Sequence, residues 1–329
     1  MFDIVSVGSA AQDIFVDTEL KEIIKKKKHF IGYLAGSKIL VKDINFFTGG
    51  GGTNTAVSFS RLGLKTGYIG NLTDDLSSWH ILEELKREGV TFLGNIEKGM
   101  KGSISVVLDS HEHNRTILVY KGVNDELDPS EVKFNFNTKW IYLSSMLRKS
   151  FQTQKKLAKK AYSKGIKIAY NPSEYQVTNG IGSIRDLIKI TEILVLNKEE
   201  AKLLLGLKRD CNIAVKDLTL SISKFGPRIV CITDEDKGAY CLNTHERKFC
   251  YLNTHDIKVI ERTGAGDSFA SAFVGAIIRG EDTETSLQIA GANAESVITY
   301  LGAKNILLTW NQAIQSIKKR PFKIKLESI

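Results

Sequence analysis

Short apolar runs rich in β-branched residues punctuate the first two thirds of the chain, spaced so that a helix fits between most of them. They are Ile4–Gly8, Gly67–Gly70, Trp140–Ser144, Ile166–Tyr170, Ile193–Leu196 and Ile229–Thr233. Helical patterns fill the intervals at 53–62, 75–88, 151–164, 198–205 and 213–224. This alternation predicts a mainly parallel sheet flanked by helices, because strands so uniformly apolar are covered on both faces. Beyond residue 265, Phe269, Ala272, Phe273, Ala276 and Ile277 recur at helix spacing before Gly280. Residues 14–47 and 91–124 break the rhythm with strand patterns such as Ser103–Leu108 and Thr116–Tyr120, joined through a hairpin turn at 109–114. With no low-complexity linker, residues 1–329 read as a single α/β domain carrying a small β-sheet lid built from those two insertions.

Composition narrows the function classes. Hydrophobic residues make up 42% of the chain, enough for a large core and too many for a disordered protein. The longest nearly apolar stretch, 269–278, is far short of the ~18 residues a membrane span needs. Met1-Phe2-Asp3-Ile4 lacks the features of a secretory leader, so a cytoplasmic protein with no membrane partner is expected. Cys211, Cys231, Cys241 and Cys250 include no Cys-x-x-Cys pair and read as reduced, buried thiols. The net charge of +9 lies entirely in 21–28 (KEIIKKKK) and 318–325 (KKRPFKIK), which read as solvated loops or ends. A nucleic-acid binder would spread basic residues over one face, so none is expected as a partner. His111 and His113 in a polar turn, with no third ligand nearby in sequence, are expected to be solvated and not metal-bound.

Two glycine-rich segments carry chemistry. In Phe47-Thr48-Gly49-Gly50-Gly51-Gly52-Thr53-Asn54-Thr55-Ala56, the glycines admit a ligand close to the backbone, and Thr53, Asn54 or Thr55 can cap the following helix or meet a bound hydroxyl. No Lys-Ser/Thr follows, so it is not a P-loop. Val7-Gly8-Ser9-Ala10-Ala11 lacks the glycine spacing of a dinucleotide fold, which argues against a nicotinamide oxidoreductase. In Arg262-Thr263-Gly264-Ala265-Gly266-Asp267-Ser268-Phe269, small residues at a helix start leave N–H groups for an anion, with a carboxylate beside them. An aspartate there also suits a helix N-terminus on dipole grounds alone. Phosphoryl transfer to a hydroxyl needs that pairing: donors for the phosphoryl and a base for the proton.

The two segments, in this order and with Arg61-Leu62-Gly63 after the first, resemble the two signatures of the ribokinase-like, PfkB-type carbohydrate kinases. The resemblance covers essentially the whole chain. It implies a ribokinase-like fold and ATP-dependent, Mg²⁺-assisted phosphorylation of a hydroxyl on a sugar or sugar-containing molecule. It implies that Asp267 is the general base, with the amides of Gly264, Ala265 and Gly266 around the transferring phosphoryl. Val7-Gly8 followed by Asp13 is similar to the opening strand and substrate aspartate, so that Asp13, Gly49, Gly50 and Asn54 contact the substrate. Asn197-Lys198-Glu199-Glu200 is similar to the Asn-x-x-Glu element, implying that Asn197 and Glu200 serve the phosphates and that Glu200 meets Mg²⁺ through water. The same junction also suits a plain helix cap. Thr233, Gly238 and Asn293 fall where the family builds its nucleotide pocket, and Gly122-Val123-Asn124 resembles the end of the lid insertion.

The chain departs from the family pattern at informative places. Glu261-Arg262-Thr263 replaces Asp-Thr-Thr, which calls monovalent-cation activation into question. Thr73 and Ser78 stand where relatives have glycines, and Glu235 replaces a common glycine of the nucleotide-side loop. Gly51 stands where ribokinases carry lysine, and Ser144-Ser145-Met146 replaces their glutamate element, so plain ribose is not favoured. A free sugar, a nucleoside and a sugar phosphate remain acceptor candidates, alongside a catalytically silent sugar- or nucleotide-binding regulator. The lid also implies a homodimer, since its outer face needs cover.

Overall fold

Neighbouring residues of one strand point to opposite faces, and both faces of the large sheet are buried. Ile4, Tyr142, Val195 and Cys231 face a core built with helices Gly51–Arg61, Ala265–Arg279 and Thr283–Ile298. Val5, Ile141, Leu143, Ile168 and Val230 face a second core, under helices Arg148–Ser163 and Val215–Ser223. That two-sided burial is why these strands carry apolar residues at almost every position. The computed structural model describes residues 1–18, 23–25, 28–109, 115–132, 134 and 136–328.

The large sheet has ten strands. From one edge they are Ile324–Ser328, Lys248–Leu252, Ala239–Asn243, Ile229–Thr233, Ile193–Asn197, Lys167–Tyr170, Thr138–Leu143, Phe2–Val7, Thr66–Ile69 and Thr91–Phe92. The strands from Ile229–Thr233 to Thr91–Phe92 are parallel, and the other three add antiparallel at the edge. This is the mainly parallel, helix-flanked sheet that the alternation predicts. The basic segment 318–325 is not a free end: it closes helix Trp310–Lys319 and opens the edge strand paired with Lys248–Leu252. Cys231, Cys241 and Cys250 sit side by side on adjacent strands as buried free thiols, while Cys211 is half-buried.

A separate four-stranded sheet takes the order Arg115–Tyr120, Ile104–Asp109, Ala11–Asp17, Asp43–Gly49. Both insertions feed it, although Thr91–Phe92 joins the large sheet and Asn95–Glu97 pairs with Asn71–Thr73. Where the chain leaves this sheet, the Asn124 amide donates to the Ala10 carbonyl at 2.7 Å and accepts from the Ala10 N–H at 3.1 Å. One buried side chain thus pins the return of the second insertion to the start of the first. Of the Lys25–Lys28 run, Lys26 and Lys27 lie outside the described residues, as do His111 and His113 of the hairpin turn. No helix among the described residues is long and apolar enough to cross a membrane.

Candidate active site

A cleft of about 360 Å³ opens at the carboxyl ends of the parallel strands. Ser144, Asn171, Asn197 and Thr233 reach it from successive strand ends, and Gly51, Gly266, Asp267, Glu200 and Lys121 complete much of its wall. Open α/β sheets bind ligands at this end, because the loops and helix N-termini there leave polar groups unspent.

Gly264 sets the geometry of one wall. Its φ is 82°, and a Cβ there would stand 2.6 Å from the Ala303 carbonyl oxygen, so no other residue fits. Helix Ala265–Arg279 begins immediately after it. The Ala265 N–H turns back to the Arg262 carbonyl at 3.2 Å, whereas the N–H groups of Gly264 and Gly266 meet no acceptor among the described residues. The Glu261 carboxylate accepts from both the N–H and the hydroxyl of Thr263 at 2.7 Å, fixing the approach to this turn. Asp267, in the first helical turn, accepts a hydrogen bond from the Asn54 amide at 2.8 Å. Burial pushes its carboxyl above the usual carboxylate range, opposed by the Asn54 bond and the attraction of Lys304.

The first glycine segment supplies the facing wall. Helix Gly51–Arg61 starts from Gly50 at φ 96°, so Thr53, Asn54 and Thr55 lie within its first turns and none of them caps it. Instead Thr53 Oγ1 donates to the Gly49 carbonyl at 2.6 Å, and Asn54 reaches across to Asp267. The other amide atom of Asn54, its Oδ1, is buried without a partner among the described residues. Asp13 is buried on the small sheet beside Ser105, and burial raises its carboxyl to about 6 against the Ser105 hydrogen bond and the pull of Lys304. Gly49 lies directly against it: a Cβ there would collide with the Asp13 carboxylate. The structure thus brings Asp13, Gly49, Asn54 and Asp267 together from three separate stretches of chain.

Asn197 and Glu200 form a reciprocal capping box at helix Lys198–Leu204, and Glu200 also lines the cleft. Burial raises the Glu200 carboxyl to about 7, helped by the charges of Glu174 and Asp267. Two expected nucleotide residues sit elsewhere. Gly238 is a turn glycine at φ 105°, where a side chain would strike the Leu252 carbonyl. Asn293 is wholly buried, donating to the Ser268 carbonyl at 3.0 Å and accepting from the Leu308 N–H at 2.9 Å, so its polar groups are spent between helices. Neither lines the cleft. Sequence reasoning missed Lys121, the sole lysine or arginine among the cleft-lining residues, and Lys304, a buried lysine beneath the glycine segment. The signal for Lys304 was available: one charge in a mostly apolar stretch, between Gly302-Ala303 and Asn305-Ile306-Leu307-Leu308.

A three-layered α/β/α body, a small sheet set beside it and a cleft lined by Gly51, Gly266, Asp267 and Glu200 are the architecture of a phosphotransferase of the ribokinase fold. The family model described as pfkB family carbohydrate kinase matches residues 1–310, and the chain belongs to that family of ATP-dependent carbohydrate kinases. A 5-dehydro-2-deoxygluconokinase from Clostridium perfringens is 27% identical, over 97% of this chain and 93% of its own. A ribokinase from Bacillus subtilis is 26% identical, over 95% of this chain and 98% of its own. Among solved structures, an Arabidopsis thaliana ribokinase complexed with ribose and ATP superposes with a TM-score of 0.79 at 22% identity, covering 96% of this chain and 99% of that one. A nucleoside kinase from Methanocaldococcus jannaschii gives a TM-score of 0.78 at 21% identity, covering 97% of this chain and 99% of that one.

Proposed function

We propose that the protein transfers the γ-phosphoryl of ATP to a hydroxyl of a sugar held by Asp13, Gly49, Gly50 and Asn54. The observation that carries this reading is Asp267, clamped by Asn54 at 2.8 Å at a helix start whose Gly264 and Gly266 amides are free. A substrate hydroxyl seated between Asn54 and Asp267 meets the acceptor it needs for its proton. Asp13 takes two neighbouring hydroxyls of the same molecule, and the unpartnered Asn54 Oδ1 takes a further one. The amides of Gly264 and Gly266, with Ala265 at the same turn, face the oxygens of the phosphoryl, and Lys121 supplies positive charge from the small sheet's side. Thr233 stands on the nucleotide side of the cleft.

The residues present fit Mg-ATP: Glu200, a carboxyl that burial raises to about 7, faces a cleft in which, among the described residues, Lys121 is the only lysine or arginine. Glu200, positioned by Asn197, would hold Mg²⁺ through water, and the ion when bound screens the charge of the phosphates. Phe15 and Phe47 meet edge to face at 5.5 Å and occupy each other, which favours a sugar over a base-stacked nucleoside. The small sheet excludes water from the transfer as a lid.

The test is Asp267→Asn, assayed by coupled ADP release against sugars and sugar derivatives. Removing the base should lower kcat by ~10²–10⁴-fold while the variant still binds the acceptor. A folded Asp267→Asn enzyme turning over at the wild-type rate would end the assignment.

A further inference from the structure

We propose that Lys304 is a positioning residue for phosphoryl transfer, an ammonium buried under the glycine segment that braces Gly49–Gly50 and acts by its charge on both site aspartates. This rests on the roles proposed above for Asp13 and Asp267. Lys304 is 2% exposed and touches neither the cleft nor any substrate position, so it acts through its neighbours. Its Nζ lies 2.7 Å from Glu84 Oε2 and 3.2 Å from Thr53 Oγ1. Each partner leads to the same stretch of chain. The Thr48 hydroxyl donates to Glu84 Oε2, and Thr53 Oγ1 donates to the carbonyls of Gly49 and Gly50 at 2.6 and 3.1 Å. A single cation therefore grips the residue before the glycines and, through one hydroxyl, the glycines themselves.

The electrostatics point the same way. Four carboxylates act on Lys304: Glu84 and Glu88 from beneath, Asp13 and Asp267 from the site. Arg61 pairs with Glu88 at 2.8 Å, and Arg87 lies 3.8 Å from Glu84, so the lower carboxylates have other cations. Asp13 is otherwise surrounded by the Ser105 hydroxyl and the like charge of Asp267. Asp267 has the Asn54 amide, with Glu200 and the Tyr142 phenol nearby. Among the described residues, Lys304 is the one cation that acts on both site aspartates. A buried ammonium is strongly disfavoured unless its charge is used, and here Glu84 uses it first, with the site aspartates acting on it from the other side.

The experiment compares pH profiles of kcat/KM for three variants of the full chain. Lys304→Met/Glu84→Gln removes the cation without leaving Glu84 buried and unpaired, and the new amide still accepts from Thr48. Its acid limb should move up by about one pH unit, with activity recovering towards wild type on the alkaline side. Lys304→Arg keeps the charge and should leave the limb in place even where its melting temperature falls. Glu84→Gln leaves the ammonium to Glu88 and the aspartates and should move the limb down. A double variant whose limb coincides with wild type, or an arginine variant displaced as far as the double, overturns the proposal. Should the double variant fail to fold, Glu84→Gln decides: a limb that stays or rises overturns it. The active-site reading fails separately, through an Asp267→Asn enzyme that keeps its turnover.

Discussion

Replacing Gly49 by alanine should damage acceptor binding and little else. The φ of Gly49 lies outside the left-handed range, so alanine takes up the backbone without strain. Its Cβ, however, would lie 2.6 Å from Cγ and 3.0 Å from Oδ1 of Asp13, where ordinary contacts begin at 3.4 Å. Oδ2 would lie closer still, so the carboxylate must retreat by roughly 1.5 Å, which stretches a hydrogen bond of normal length beyond the limit of one. Two hydrogen bonds to a charged group, each worth ~1.5–3 kcal/mol, are weakened together. Allowing for partial relaxation, acceptor KM should rise on the order of 10²-fold. ATP KM should stay within a factor of about three, since Thr233, Glu200 and Lys121 are untouched. The assay is coupled ADP release with the sugar identified by screening, varying one substrate at a time, with thermal melting as the control for folding. Gly50→Ala marks the contrast: φ is 96° and the Cβ would lie 2.6 Å from the Ser9 carbonyl oxygen, so that variant should lose stability outright. A Gly49→Ala enzyme with wild-type acceptor KM would refute the placement of the sugar on Asp13.

Asp13→Asn should stabilise the free enzyme at high pH. Its folded carboxyl, at about 6, lies above the ordinary 3.8, so the native state binds the extra proton and stability falls as pH rises between those values. The asparagine variant should therefore gain on the order of 2 kcal/mol at pH 8, a gain that vanishes below about pH 4; urea unfolding at the two pH values checks it, and a variant less stable at pH 8 contradicts it. Glu235, at φ 46° where a glycine is common, should give a gain of up to about 1 kcal/mol when changed to glycine, a rise in melting temperature of roughly 1–2 °C. Ile44, Phe46, Leu118 and Tyr120 are exposed on the small sheet, and pairing of two copies through it should give a light-scattering mass twice the 36.6 kDa of the chain; a monomer mass at micromolar concentration removes the dimer.

How far the sequence could be read depended on whether a feature is local. The parallel strands were legible because covering both faces forces apolar residues into every position, a pattern visible within five residues. Gly264 and Asp267 were legible because helix start, left-handed turn and carboxylate are adjacent in the chain. Asn197 and Glu200 were legible as a cap for the same reason, and only the cleft shows that Glu200 also faces a ligand space. The edge strand Ile324–Ser328 was not, since its basic character follows from lying at a sheet border, where solvated side chains and an open backbone coincide. The two bonds by which Asn293 ties the Ser268 carbonyl to the Leu308 N–H were not legible, because an asparagine that satisfies two segments looks, in sequence, like one that meets a nucleotide. Lys304 was silent for a deeper reason. Its partners Glu84 and Thr53 lie 220 and 251 positions away, and nothing in the local pattern records that a helix and a glycine segment meet there. What the local pattern did record was an incongruity, one charge in an apolar stretch, and a buried charge must be answered by others. The carboxylates that answer it here include Asp267 of the cleft wall and Asp13 of the small sheet, so the residue least readable from its neighbours in sequence is joined to those that were most readable.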